Sequence, residues 1–427
     1  MAMKESGIEW VGLIPDTWSV IPNKYVMHKE KNLCEKWTGE DVMSLTMNGV
    51  IVRDLQNPTG KMPATFDGYQ YIEDGDLLMC LFDIDVTPRC VGKVTHNGVT
   101  SPAYSNFKVH DNASRDYFYY YYLMVDNTKE LLHLAKNLRH SFTEEQLGQL
   151  KVPMPPLSEQ QAIADYLDET CSKIDEIIAE AKASIDEYEN LRQSIIYEIL
   201  TKGPDDNVEM KDSGVEWIGK VPSHWMIGKV KYGTTKVGSG KTPKGGAEVY
   251  MTSGVMFLRS QNIYNDGLRL DNPYYISEEI DEEMKNTRVQ KNDVLLNITG
   301  GSIGRCCIFD GSIPNANVNQ HVCIIRVNSS VFLPEYMHLF WISLIGQISI
   351  KSYQTGGNRE GMSAEAIKNT PIPIIPIGEQ RRIVDLIKPK IDDFNSLIAE
   401  KESLINDLEA YKKSLIYEVV TGKRRVV

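Results

Sequence analysis

Apolar residues recur every seven positions along two stretches of the chain. Within 159–200, Leu167, Ile174, Ala181, Tyr188 and Ile195 form one seam. Cys171, Ile178, Ile185, Arg192 and Ile199 form a second. A heptad sustained over this length predicts a coiled-coil helix. Ser158 with Gln161 offers a capping box just after Pro155-Pro156, and Gly203-Pro204 supplies the stop. At ~1.5 Å per residue such a helix runs about 60 Å. Residues 379–420 repeat the pattern, with Ile387, Phe394, Leu408 and Leu415 on one seam and Ile391, Ile398, Ile405 and Val419 on the other. Lys401 and Lys412 interrupt it, and Pro389 predicts a kink or break, because proline removes a helical hydrogen bond. Pairing the two helices antiparallel hides each stripe against the other. A plain structural hairpin of helices is the simpler alternative.

Between these stretches the pattern is shorter and mixed. Asp76-Leu77-Leu78-Met79-Cys80 and Asp293-Val294-Leu295-Leu296-Asn297 are apolar runs after turn signals and predict strands. Cys90 to Val94 and Arg305 to Phe309 predict a continuation of each sheet, and Tyr117 to Val125 and Glu335 to Ile345 predict helices.

The chain also repeats itself. Ser6-Gly7-Ile8-Glu9-Trp10-Val11-Gly12 through Pro15 and Trp18 returns as Ser213-Gly214-Val215-Glu216-Trp217-Ile218-Gly219 through Pro222 and Trp225, offset by 207. Pro153-Met154-Pro155-Pro156-Leu157-Ser158-Glu159-Gln160 returns as Pro373-Ile374-Ile375-Pro376-Ile377-Gly378-Glu379-Gln380, offset by 220. The inserts between these frames barely match. We therefore expect an α+β chain with two mixed α/β domains in pseudo-two-fold arrangement, separated by two long antiparallel coiled-coil helices. The expected boundaries are 1–152, 153–204, 205–371 and 372–427. Two-fold protein symmetry is commonly matched to two DNA half-sites.

The net charge of −12 changes the picture only after it is divided. Residues 159–200 hold 11 acidic and 3 basic side chains, whereas 379–425 hold 9 and 10. The inserts are near balance, 17 acidic and 14 basic in 19–152 and 13 and 15 in 226–371. DNA binding needs a local basic face rather than a basic average, so this charge permits it. The acidic first helix suggests a basic protein partner. Seven cysteines without a C-x-x-C pair suggest reduced thiols and a cytoplasmic home. The longest largely apolar run, Leu339 to Ile350, is too short to span a bilayer, and no apolar leader follows Met1, so no membrane association is expected.

Catalytic motifs fail on inspection. Gly238-Ser239-Gly240-Lys241-Thr242 resembles a phosphate-binding loop, but Thr235 stands where its first glycine is required and Pro243 follows where a helix should continue. Asn272-Pro273-Tyr274-Tyr275 resembles the N-P-P-Y motif of amino-methylating DNA methyltransferases but lacks the second proline. The eight histidines show no zinc-ligand spacing. The reading is a non-catalytic chain without a metal or cofactor of its own.

Two copies of W-x-G-x-x-P-x-x-W, each followed by an unlike block and then by P-x-P-P-L-x-E-Q or its variant with a long helix, resemble the specificity (S) subunit of type I restriction–modification systems. The second block is also similar to that family at Phe257 to Ile263, Gly300 to Arg305, Asn319-Gln320-His321 and Gly356 to Met362. The first block departs from it, with Phe82-Asp83-Ile84-Asp85 in place of a glycine-rich turn. The resemblance implies two target recognition domains that read the halves of a bipartite double-stranded DNA target. Half-site centres about one helical turn, ~10 bp, apart are expected from the two-fold frame. The resemblance also implies docking of two DNA methyltransferase (M) subunits, which carry S-adenosylmethionine, and in some assemblies motor–nuclease (R) subunits. A duplicated coiled-coil adaptor that recognises protein is the alternative.

Base edges are read by polar and cationic side chains on loops. The DNA-binding candidates in the first block are Asn48, Arg53, Thr87, Arg89, Tyr104, Asn106, Arg139 and His140. Those in the second are Ser260, Gln261, Asn262, Thr299, Ser302, Arg305, Asn319, Gln320 and Arg359. The run Tyr117-Phe118-Tyr119-Tyr120-Tyr121-Tyr122 has helical spacing and reads as core rather than as a stacking platform.

Overall fold

A computed structural model describes residues 2–58, 62–87, 89–135, 141–353 and 361–426. The chain forms two compact units, one of residues 1–182 with 402–427 and the other of 183–401. Each is α+β, and each contains part of both long helices.

The heptad stretches fold as single helices, Leu157–Lys202 and Ile377–Val420. In the first unit Lys412 pairs with Asp175, and the antiparallel run buries Leu167, Cys171, Ile174, Ile178, Leu415 and Val419. In the second unit Arg192 donates to Asn395 at 2.7 Å, and the Tyr188 and Phe394 rings lie 6.3 Å apart. Arg192, the charged residue in the seam, is thus satisfied by an amide across it. Pro389 does not break its helix. The proline is exposed, so the carbonyl it leaves unpaired faces water while Ile383 and Ile387 stay buried. Ser158 is not the cap that its sequence suggests, because the first helix already begins at Leu157 and the Glu159 and Gln160 amides donate to the Pro156 carbonyl.

Both units share a sheet plan. In the first, an antiparallel sheet runs Met27–Glu30, Ser105–Val109, Leu77–Met79, Val91–Lys93, and a second sheet pairs Val42–Thr46 with Gly98–Thr100 in parallel. In the second, Thr234–Ser239, Val322–Val327, Val294–Asn297 and Cys306–Ile308 form the antiparallel sheet, and Val255–Leu258 pairs in parallel with Ala316–Val318. The tyrosine run lies on helix Arg115–Asn127, with Tyr117, Phe118, Tyr120, Tyr121 and Tyr122 buried. The corresponding helix of the second unit stops at Ile342 and restarts at Leu344. Ser343 is extended between them, with its hydroxyl accepting from the Gly346 amide, so a hydroxyl cap divides the expected single helix.

The repeated motifs prove to be staples. Buried Gln160 accepts from the Ser114 amide and donates to the Pro155 carbonyl, each at 2.8 Å. Buried Gln380 accepts from the Leu333 amide at 2.8 Å and donates to the Val331 and Ile375 carbonyls. Each glutamine therefore ties the start of a long helix to the N-terminus of a shorter helix in its own unit. The tryptophans close the other end. Gly422, at φ +70°, lies where any Cβ would come within 2.5 Å of Pro15 and 3.0 Å of Trp18. Gly203, at φ +82°, meets Trp225 in the same way, at 3.1 Å. Trp18 and Trp225 are both fully buried.

Candidate nucleic-acid interface

In the second unit, strand ends converge on two loops. Val255–Leu258 is buried by Phe257 and Leu258, and the chain then turns through Ser260–Asn262. Asn297, fully buried at the end of its strand, donates to the Ser260 carbonyl at 2.8 Å and to the Ser302 hydroxyl at 3.1 Å. One amide thereby locks the 259–262 and 299–305 loops together. Asn262 accepts from the Arg259 amide at 2.9 Å and donates to the Arg269 carbonyl at 2.8 Å. Asn319 accepts from the His321 amide, and Thr299 shares a 2.5 Å hydrogen bond with the His321 ring.

Asn262 and Asn319 are thus buried loop-formers, while Gln261 and Gln320 are exposed beside them. Arg305 lies 4.5 Å over the Tyr264 ring, and Arg269, paired with Asp266, lies 5.1 Å from it. A polar cleft lined by Gln261, Asn262, Tyr264, Arg269, Asp271 and Asn272 opens there. The structure brings Ser260, Gln261, Asn262, Ser302 and Arg305 into one neighbourhood. Arg359 lies outside the described residues.

The first unit builds its surface from a tight hairpin, Val42–Thr46 and Gly49–Val52. Asn48 is exposed in its turn, with its amide donating to the Thr46 hydroxyl at 3.2 Å. An Arg89 Nη atom lies 4.0 Å from the point a Cβ on Gly49 would occupy, so this arginine covers the hairpin tip. Arg89 and Arg305 both lie in the loop that enters the last strand of their sheet, but in register it is Cys90, whose carbonyl accepts from the Cys80 amide, that matches Arg305, whose carbonyl accepts from the Asn297 amide. Arg53 follows the hairpin, and its charge acts on the Tyr104 phenol, whose pKa is raised mainly by burial. Tyr104 stacks against Phe82 at 6.4 Å.

Thr87 is turned inward, its hydroxyl donating to the Phe82 carbonyl at 3.4 Å. Asn106 is buried and donates to Asp76 at 2.7 Å, which makes it a strut of the sheet. Arg139 and His140 lie outside the described residues.

The rejected motifs have local explanations. Gly240 packs so tightly that a Cβ would fall 2.0 Å from the Val318 carbonyl oxygen, so its glycine serves close backbone packing. Asn272-Pro273 leads into strand Tyr275–Ile276. All seven cysteines are buried and unpaired, and burial pushes the Cys307 thiol up to about 12. Among the described residues no group of His, Cys, Asp and Glu has the arrangement of a metal site. No described helix is long and apolar enough to cross a membrane.

Sequence reading missed Arg259. Its guanidinium carbon lies 3.7 Å over the Tyr274 ring and 5.9 Å from Tyr250. Its signals in the sequence are a cation that ends an apolar strand immediately before the Ser260-Gln261 candidates and its place within the family-like stretch Phe257 to Ile263.

The family model described as "Type I restriction modification DNA specificity domain" matches residues 84–187 and 222–407. The chain is 23% identical over 330 residues to the type I restriction enzyme EcoBI specificity subunit of Escherichia coli, covering 73% of this chain and 66% of that protein. It is 26% identical over 328 residues to the putative type I restriction enzyme MjaX specificity subunit of Methanocaldococcus jannaschii, covering 74% and 69%. The matches thus span about two thirds of each relative. A chain from the solved structure "Structural basis underlying complex assembly and conformational transition of the type I R-M system" matches 96% of this chain and 99% of its own length, with TM-score 0.70 and 12% identity, a likeness of fold.

Proposed function

This chain belongs to the type I restriction–modification DNA specificity family, and on that basis we propose that it reads a bipartite double-stranded DNA target and directs partner subunits to it. The partners are two DNA methyltransferase subunits, which carry S-adenosylmethionine, together with motor–nuclease subunits where the system has them. The chain itself performs no chemistry and works in the cytoplasm. One observation carries the reading: two units with the same sheet plan carry unlike polar and cationic side chains at their loops, Asn48, Arg53 and Arg89 in the first and Arg259, Gln261 and Arg305 in the second. A shared frame with different polar side chains at its loops is what two different half-sites require.

The test is co-expression with the cognate methyltransferase subunits, followed by genome-wide mapping of methylated adenines. A split motif with an unread spacer is expected, together with a steep loss of DNA affinity as salt rises. Methylation without sequence preference, or its independence of this chain, contradicts the reading and favours a protein adaptor.

A further inference from the structure

The five arginines within residues 234–327 of the second unit fall into two groups. Arg269, Arg288 and Arg326 each pair with an aspartate. Arg259 and Arg305 lie instead over tyrosine rings and, among the described residues, pair with no carboxylate. Arg305 is held in backbone by the Ser302 carbonyl and the Asn297 amide, and Arg259 is held as closely. Its backbone is pinned on both sides, its amide donating to Asn262 Oδ1 and its carbonyl accepting from the Asn262 amide at 2.8 Å. Its guanidinium carbon lies 3.7 Å from the centre of the Tyr274 ring, which itself meets Tyr250 edge-on at 5.2 Å, and Tyr250 in turn packs on buried Phe257. Arg259 Nε is buried without a hydrogen-bond partner.

These features define what the side chain can still do. A carboxylate would occupy the donor fork; a ring face holds the cation and leaves the in-plane donors open. With Nε sequestered, the open edge is the end-on pair of Nη groups. That edge matches the O6 and N7 acceptors of guanine in the major groove. The stacked ring also restricts the side chain before DNA arrives, so less rotamer freedom is lost on contact.

We propose that Arg259 is a specificity-determining residue that reads a guanine in the half-site recognised by the second unit, with Tyr274 as its positioning residue. The proposal rests on the DNA-reading function above and assigns a base contact to a residue outside the candidates named from sequence.

The test uses the full chain assembled with its methyltransferase subunits and a randomised duplex library, with methylated products sequenced. For Arg259→Ala, preference at one base pair of one half-site should relax roughly ten- to hundredfold, and the other half-site should be unchanged. Arg259→Lys should relax the same position, because an ammonium keeps the charge but not the fork. Tyr274→Leu should act in the same direction with a smaller loss, and Tyr274→Phe, which keeps the ring, should retain wild-type preference. Uniform weakening across all sequences, with the salt slope reduced by about one, would make Arg259 a phosphate contact and overturn the proposal. So would unchanged preference in the Ala and Lys variants. A wild-type complex with no bipartite preference would instead remove the DNA-reading function, and this assignment with it.

Discussion

The two units solve the same folding problem with the same parts and then diverge where their loops meet solvent. In the first, the hairpin region is largely apolar: Met47, Ile51, Val52 and Leu55 are exposed near Asn48, Arg53 and Arg89, and Val86 precedes Arg89 in the next loop. In the second, the corresponding surface is more polar, with Gln261, Asn265, Asp266 and tyrosine-backed arginines beside exposed Leu270 and Tyr274. The frames differ far less. Gln160 and Gln380 make matching staples, and Gly422 and Gly203 fit against matching tryptophans. Buried hydrogen bonds and close packing leave the frame few alternatives, whereas exposed loops are constrained only by what they must touch.

The long helices give the sharpest contrast. Ile178 is buried in the first unit's seam, and Ile398 is half-buried in the second's. Ile178→Asp should therefore destabilise its unit by ~3–5 kcal/mol, through an unpaired charge in an apolar seam, and Ile398→Asp by clearly less. Chemical denaturation, with hydrogen exchange to locate the loss, measures both. Equal losses would mean that the seam is uniform along its length.

The buried aspartates come next. Asp293 is fully buried and gripped by Arg326 through two 2.7 Å bonds, whereas Asp76 accepts from Asn106 and from the Glu73 amide. Arg326→Met leaves a buried charge without its partner and should cost about 3 kcal/mol. Asn106→Leu should cost only about 1–2 kcal/mol, the loss of one buried hydrogen bond. The same denaturation curves rank them, and a larger loss for Asn106→Leu would reverse the comparison.

Glycine substitutions sharpen the frame argument. Gly422→Ala meets Pro15 at 2.5 Å, and Gly203→Ala meets Trp225 only at 3.1 Å, both at positive φ. Each should lose ~1 kcal/mol from backbone conformation, and Gly422→Ala should lose more in addition from the clash. Thermal midpoints in the opposite order would show that the two closures are not equivalent.

The smallest effect is the pH dependence of Asp76. Burial raises its carboxyl above the ordinary aspartate range, against hydrogen bonds from Glu73 and Asn106 that lower it. Its folded pKa thus exceeds its unfolded one. The associated stabilisation is complete below the unfolded value and fades as pH rises through the folded one. Relative to wild type, Asp76→Asn should flatten this decline in urea midpoints as pH rises above the ordinary aspartate value of ~4. A wild-type profile that rises more steeply than the variant's above that value would give the opposite sign.

How much of this was legible follows from the range of the interactions. Heptads, strand runs and the tyrosine helix were readable because their periodicity records which face is buried. The staples were visible only as repeated letters, since the role of Gln160 depends on Ser114, 46 residues away. The recognition surface was legible in part. Arg89 and Arg305 stand out as cations entering a strand, but Asn106, Asn262 and Asn319 have the same composition as readers and are spent on internal bonds. Arg259 was hidden because its partner Tyr274 comes near only once Tyr275–Ile276 pairs with Val255–Leu258.

The central claim is that two unlike readers sit on one repeated frame. Methylation mapping of the complex carrying Arg305→Ala tests it most directly. The account predicts that one position in one half-site relaxes, with ~1–3 kcal/mol of discrimination lost, while the other half-site and the spacer are unchanged. A continuous target, or equal weakening of both halves across all sequences, would contradict it.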